Sequence, residues 1–331
     1  MNFNKYILYL LTSCTFVFLL CIGSNLNAQQ SPHFSLSPSN KFQFNAAVSA
    51  FDNSMVISGV HRDQWNNIPG GPNTQLINAH MPLEVGMNAV GFQFVNDAIG
   101  IEKTLSFSFS YAHLITTGYG PLSLAVQLGG EQKTFDQSRL RTPGGNYNEE
   151  IPNHNDPILG NSDLSSWLPT LGLSAWYSRG NMDLGLSVKQ LTSGGHFSGE
   201  PFSYSMQPEV SVYGDYFLPI DESWAVIPSI HIYTDLKQVQ NFVHGLVGYE
   251  NQYFGGLGLR GLGTRTFDAI AIMAGVRLND RFTVYYNYDL GVSNIYRPNN
   301  QTHEFMVVYR SLRWTGHSKK PPVIYNPRFL E

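Results

Sequence analysis

From Met55 onward, hydrophobic and polar residues alternate with a period of two, the spacing of a half-buried β-strand. The stretch 269–293 shows it most plainly. Ile270, Ile272, Ala274, Val276 and Leu278 fall on one face, with Ala269, Ala271, Met273, Gly275 and Arg277 on the other. After Asn279-Asp280 the pattern resumes, with Phe282, Val284, Tyr286, Tyr288 and Leu290 against Thr283, Tyr285, Asn287, Asp289 and Gly291. Asn-Asp between two such runs predicts a tight turn.

The same pattern predicts strands at 55–65, 73–83, 88–97, 103–115, 121–136, 169–179, 182–194, 204–220, 224–238, 241–251, 253–263, 268–280, 281–293 and 302–311. These make fourteen, and an even number returns the chain to its starting side, as in single-chain bacterial barrels. The faces have distinct chemistry. Leu105, Phe107, Phe109 and Tyr111 oppose Ser106, Ser108, Ser110 and Ala112; Leu122, Leu124, Val126 and Leu128 oppose Ser123, Ala125, Gln127 and Gly129; Leu184, Leu186 and Val188 oppose Gly185, Ser187 and Lys189. One face is bulky and apolar. The other is small or polar.

Alternation alone fits a soluble sandwich with apolar faces inside or a barrel with apolar faces outside. The amino terminus helps decide. Lys5 precedes the apolar run Tyr6–Ile22, and Ala28-Gln29 is a credible cleavage point, so residues 1–28 read as a signal peptide. A single membrane anchor, or a lipoprotein modified at Cys21, is the other reading of this segment. Both cysteines, Cys14 and Cys21, lie within it, so the mature chain would carry no thiol or disulfide chemistry. Residues 29–54 would form a periplasmic or lumenal segment, 55–311 the barrel, and 312–331 a periplasmic tail.

Composition points the same way. Charged residues make up 13% of the chain, about half the usual share, while aromatics reach 13% and glycines number 31. Removing the signal peptide takes Lys5 from the 20 basic residues and leaves all 24 acidic ones, so the balance argues against a nucleic-acid partner. Trp65, Trp167, Trp224 and Trp314 fall at or beyond predicted strand ends, where indoles form interfacial girdles. Trp176 does not fit that pattern. We therefore expect an all-β, antiparallel transmembrane barrel of the outer-membrane type, in contact with outer-membrane lipid. The joints between strands alternate in length. Glu84–Met87, Thr116–Gly120, Gly180–Asn181, Asp221–Ser223, Gln252 and Asn279–Asp280 are short, as periplasmic turns are, whereas Gln137–Leu168, Gly195–Ser203 and Asn294–Gln301 are longer, as external loops are. Lys319-Lys320-Pro321-Pro322 cannot extend a central strand and reads as a loose tail or a docking segment.

Candidate chemistry is sparse. Gly70-Gly71-Pro72 suits a turn and lacks the spacing of a phosphate loop. His154, Asp156 and Asp163 share a loop without the spacing of a compact metal site, and no Ser/His/Asp arrangement stands out, so neither a cofactor nor an enzymatic activity is expected. Arg62, turned into the lumen, is expected to pair with Glu84 or Asp97, the other reading being contact with a partner at the mouth. Gln64 and Trp65 follow it at the barrel mouth, and Gln127, Glu131, Lys189, Arg260 and Arg277 are expected to face the lumen. The loops Arg139–Asp163 and Gly194–Phe202, with Arg139, Arg141, His154, Asp156, His196, Phe197 and Glu200, are candidates for partner binding.

Several short stretches occur in a recognisable order: Asn45-Ala46-Ala47, His61-Arg62-Asp63-Gln64-Trp65, Gly70-Gly71-Pro72-Asn73-Thr74-Gln75, and Gly91 through Asn96-Asp97-Ala98-Ile99-Gly100. Later come His303-Glu304-Phe305 with Tyr309-Arg310, and Asn326-Pro327-Arg328-Phe329. In these the chain resembles the PorP/SprF family of type IX secretion membrane proteins of Bacteroidota, with Ala46 standing where the family pattern has Pro. The resemblance implies an outer-membrane barrel serving secretion and, in some organisms, gliding motility. It implies as partners a secreted adhesin bearing a type IX carboxy-terminal signal domain, and a periplasmic peptidoglycan-binding lipoprotein or secretion core proteins. The rival expectation is a passive channel for small solutes. A continuous wet path past Arg260, Arg277, Gln127 and Glu131 would favour the channel; a plugged interior would favour anchoring.

Overall fold

The computed structural model describes residues 32–84, 86–148, 153–156, 163–192, 195–196, 203–204, 206–262, 267–292 and 301–311. Fourteen antiparallel strands form its wall: β1 Val56–Gln64, β2 Asn73–Glu84, β3 Asn88–Ile99, β4 Glu102–Thr117, β5 Gly120–Phe135, β6 Leu164–Arg179, β7 Met182–Lys189, β8 Glu209–Tyr216, β9 Trp224–Thr234, β10 Val239–Tyr249, β11 Tyr253–Arg260, β12 Ala269–Arg277, β13 Phe282–Gly291 and β14 Thr302–Arg310. Each pairs with its sequence neighbours, and β14 returns to pair with β1 from Val56↔Arg310 to Gln64↔Thr302. Closure matters because an unpaired edge cannot be tolerated where lipid offers no hydrogen bonds.

The strand ends have local causes. Trp65 takes a positive φ of 57° and stops β1; Gln190, at 56°, stops β7 before the expected 194. The expected strand 204–220 is instead β8 plus the fragment Leu218–Pro219, which pairs with Val226 and Ala225 of β9. Pro219 has no amide to donate, so it cannot continue an interior ladder. In contrast, β6 starts five residues earlier than its alternation suggests. With β4 and β5 it reaches 16 residues, longer than the ~9–11 that cross a bilayer.

The bulky faces point outward. Phe109, Leu128 and Leu257 are each 60% exposed, and Phe107, Leu124, Leu184, Leu186 and Ile272 are exposed with them. Such a continuous apolar belt suits acyl chains rather than water. Exposed Trp167 lies toward the loop-bearing rim and exposed Trp224 at the short-turn rim, where it packs on Tyr249 at 4.6 Å. Trp65 departs from the expected girdle and lines the inner mouth, while Trp314 lies outside the described residues.

Candidate functional site

The lumen holds the chain's own amino-terminal segment. Residues 32–54 run through three short 3-10 turns, Ser37–Ser39, Lys41–Gln43 and Ala46–Phe51, before entering β1. Ser, Asn and Pro in close succession favour such tight turns over a longer helix. Asn45 caps the last turn by accepting from the Ala47 amide at 3.0 Å, while its side-chain amide donates to the Ala175 and Leu186 carbonyls of β6 and β7. The small inward residues now acquire a reason. Ala89, Ala112 and Ala125 form a flat wall against Phe42, Ala46, Ala47 and Ala50. Gly91 lies so close to the Phe42 ring that an added Cβ would come within 2.3 Å of it. Trp176, the indole that fitted no girdle, is 1% exposed and stacks on Tyr213 at 5.5 Å, with Phe44 of the plug 6.4 Å away. It belongs to the plug's socket.

Three polar clasps hold the plug. The first, toward the loop-bearing rim, joins four charged groups from the wall. Arg62 donates to Asp289 at 2.8 Å and to Glu304 at 2.6 Å, and Arg260 donates to the same Asp289 oxygen at 2.8 Å. The plug inserts Ser35 between them. Its hydroxyl donates to Asp289, and the Ser35 and Leu36 amides donate to the two Glu304 oxygens at 2.8 and 2.9 Å. In the second clasp Lys41 sits between Asp183 and Asp215, with its ammonium 5.4 Å from the Trp176 and Tyr213 rings. The third, at the short-turn rim, binds Asp52 to His80 at 2.5 Å and to Arg310 at 2.8 Å.

Burial alone would raise the Asp52 carboxyl, but Arg310 and the His80 contact outweigh it and hold it well below the usual carboxylate range. A carboxyl lowered by folding adds stability that is present above its unfolded value of ~3.9 and is lost as pH falls below it. Acidification below about pH 4 should therefore loosen this end of the plug. Urea unfolding as a function of pH should show the loss in the parent protein and a flatter acid limb in Asp52→Asn; equal limbs would refute the clasp.

Above the plug the barrel opens as a cup of about 750 Å³ lined by Gln64, Trp65, Gln127, Glu131, Lys189 and Arg260, among others. Its floor is the plug, through His33, Phe34, Gln43 and Phe44. Lys189 donates to the Gln43 carbonyl at 2.5 Å, and Gln190 to Glu131 at 3.1 Å. Burial pushes the His33 imidazole below its ordinary value; Glu209 opposes this, but Arg260, Arg62 and Lys189 reinforce it.

Several expected placements change. Arg62 does not pair with Glu84 or Asp97. Glu84 ends β2 at the opposite rim, and Asp97 accepts from Thr74 at 2.5 Å. Barrel closure instead places Arg62 directly opposite Glu304, 242 positions along the chain. Arg277 has the inward parity but stands at the short-turn rim, bonded to Asn251 at 2.9 Å, far along the axis from Arg260. Arg139 and Arg141 are exposed outside the cup. Arg139 donates to the Gly100 carbonyl, and Arg141 lies 4.2 Å from the Tyr147 ring. His154 is buried against Tyr147 rather than presented to a partner, while Asp156 is partly exposed. Among the described residues no cluster of three His, Cys, Asp or Glu could hold a metal. His196 joins a two-residue pairing with Ser203–Tyr204; Phe197 and Glu200 lie outside the described residues. Ser35 and Lys41 were not singled out by sequence reasoning, nor were Asp183 and Asp215, the wall partners of Lys41; Asn45 was noted only within the family-like stretch Asn45-Ala46-Ala47, with no role assigned. The available signal was a carboxylate on the small-residue face of a strand, as at Asp289 and Glu304.

Comparison with solved structures gives distant barrels. The outer membrane protein Omp33 of Acinetobacter baumannii is 8% identical, over 79% of this chain and all of that one, with a TM-score of 0.47. A Pseudomonas aeruginosa homologue of FadL is 10% identical over 80% and 92% of the two chains, with a TM-score of 0.44. No curated protein matches the sequence. The family signal lies in the sequence itself, where the model for the type IX secretion system membrane protein PorP/SprF matches residues 26–309. With a closed wall, an apolar outer belt and that match, the chain belongs to the PorP/SprF family of type IX secretion membrane proteins and is a barrel of the cell outer membrane.

Proposed function

We propose that this barrel captures an exported surface protein at its mouth and holds it at the outer membrane, while its short-turn side docks with periplasmic secretion machinery. One observation carries the reading: the chain's own residues 32–54 fill the lumen, yet leave a cup open on the loop-bearing side. A wall that is blocked along its axis and concave at one end is suited to holding a partner rather than to passing solutes. Barrels of this class turn their short connections to the periplasm. That orientation sets the cup toward the cell exterior and both ends of the wall, near Val56 and Arg310, toward the periplasmic partners. A folded passenger does not fit through a fourteen-strand lumen packed with side chains, so the barrel acts beside the translocation path.

In this reading the partner is an adhesin with a type IX carboxy-terminal signal domain, and the periplasmic contact is a peptidoglycan-binding lipoprotein or a core secretion protein. The loop between β5 and β6 stands on the longest part of the wall, beside the cup. Deleting residues 141–160 should leave a correctly assembled barrel that has lost most of its capture of the adhesin. Surface labelling and co-purification from detergent-solubilised outer membrane would measure this. Normal capture by an assembled deletion variant would defeat the proposal.

A further inference from the structure

The cup has a definite chemistry. With the Lys133–Glu102 ion pair set aside, and with Arg62 and Arg260 already engaged by Asp289 and, for Arg62, by Glu304 as well, its lining carries Asp97, Glu131, Glu209, Asp235 and Asp268 against Lys189. A concave site of one predominant sign with low-dielectric walls concentrates its field and attracts the opposite charge. The field here favours cations.

The floor supplies a second, independent feature. Gln43 is 5% exposed and lines the cup, yet neither its side-chain oxygen nor its nitrogen has a hydrogen-bond partner among the described residues. Leaving such an amide unsatisfied in a buried position costs about 1–3 kcal/mol in general, so a ligand that satisfies it gains correspondingly. A primary amide sets an acceptor oxygen beside a donor NH2, the complement of the N–H and C=O that one residue of an extended strand presents on the same edge. The Gln93 and Gln240 side-chain oxygens on the wall also lack donors among the described residues.

We infer that the cup receives an extended, lysine- or arginine-bearing segment of the exported partner. Its backbone pairs with the Gln43 amide, which turns out of its enclosed position to meet it, and its cationic side chains reach Asp235, Asp268 and Glu209. The inference rests on the anchoring function proposed above and names the chemistry of the docked segment. At about 750 Å³ the cup lies within the general range of ligand pockets and accepts a few residues rather than a domain.

The test uses the mature full-length barrel in detergent and fluorescent synthetic peptides of alternating Lys-Thr, Gln-Thr and Glu-Thr, read by anisotropy. The Lys-Thr peptide should bind best and weaken with added salt. Asp235→Asn combined with Asp268→Asn should lower its affinity about tenfold at low ionic strength. Gln43→Met, which keeps the volume, should weaken the Lys-Thr and Gln-Thr peptides alike, by roughly fivefold. Retained heat-modifiable migration identifies the variants that are folded. Equal binding of the Lys-Thr and Glu-Thr peptides, or affinities unmoved in folded variants, would overturn the inference. Adhesin retention in cells carrying the 141–160 deletion decides the underlying reading separately. Absent lysine preference with deletion-sensitive retention removes only the charge assignment, whereas retention indifferent to the deletion removes the anchoring function.

Discussion

Replacing Arg62 with Met should destabilise the folded barrel by about 3–5 kcal/mol, the cost of breaking a buried charge pair from one side. Arg62 is 1% exposed and is held by Asp289 and Glu304, which are buried equally deeply. Methionine fills the stem's volume but leaves two carboxylates facing one guanidinium, that of Arg260, which contacts Asp289 rather than Glu304. Among the described residues Glu304 would retain only the Ser35 and Leu36 amides. Those amides belong to the plug, so the loss should spread from the wall to the segment inside it. Urea titration followed by Trp176 emission should report plug release, and heat-modifiable migration should report the wall. Adding Glu304→Gln should recover part of the loss, because the second substitution removes the stranded charge. A shift under 1 kcal/mol in Arg62→Met would show that the clasp contributes little.

The wall was legible in the sequence because its physics is local. A strand with lipid on one side and a crowded lumen on the other must alternate at every step, and Phe107, Phe109, Ile272 and Val284 keep their apolar face throughout. Alternation also separates Gln127 and Arg260, which the structure places inside, from their lipid-facing neighbours. What it cannot supply is the height of a residue along the barrel axis. Arg277 shares its face with the lumen residues yet ends at the rim, and Glu84 lies at the opposite end from Arg62.

The plug was legible only as one of two places for residues 29–54, periplasmic or lumenal, and its contacts were hidden for a related reason. Residues 32–54 form no period of two and no long helix, so no pattern announces that they are buried. The polar contacts that fix them to the wall include partners far along the chain: Ser35 with Asp289, Lys41 with Asp183, Asp52 with Arg310. Only the wall carries a trace of them. Alanines at 89, 112 and 125, and glycines at 91 and 185, are smaller than a self-filled lumen would require. Small residues on the inner face of several adjacent strands therefore signal that something else fills the space.

Removing that filling should convert a closed barrel into an open one. In planar bilayers, a variant lacking residues 32–51 should pass ionic current at least about tenfold more readily than the intact protein, because the remaining fourteen-strand wall would enclose water. The deletion also strips partners from Glu304, Asp183 and Asp215, so a variant that fails to assemble would say nothing about conductance. A second variant avoids this difficulty. The Ala47 amide lies 3.2 Å from the Ser174 hydroxyl, and the mature chain as expected has no cysteine of its own, so Ala47→Cys with Ser174→Cys can tie the plug to β6 without removing it. If the plug is a fixed floor for the cup, oxidised and reduced forms should be equally silent in bilayers and should capture the adhesin equally. Current that appears only on reduction would make the plug a movable gate and restore the solute channel as the better account. An assembled deletion variant that stays silent would show that the plug is not what closes this lumen.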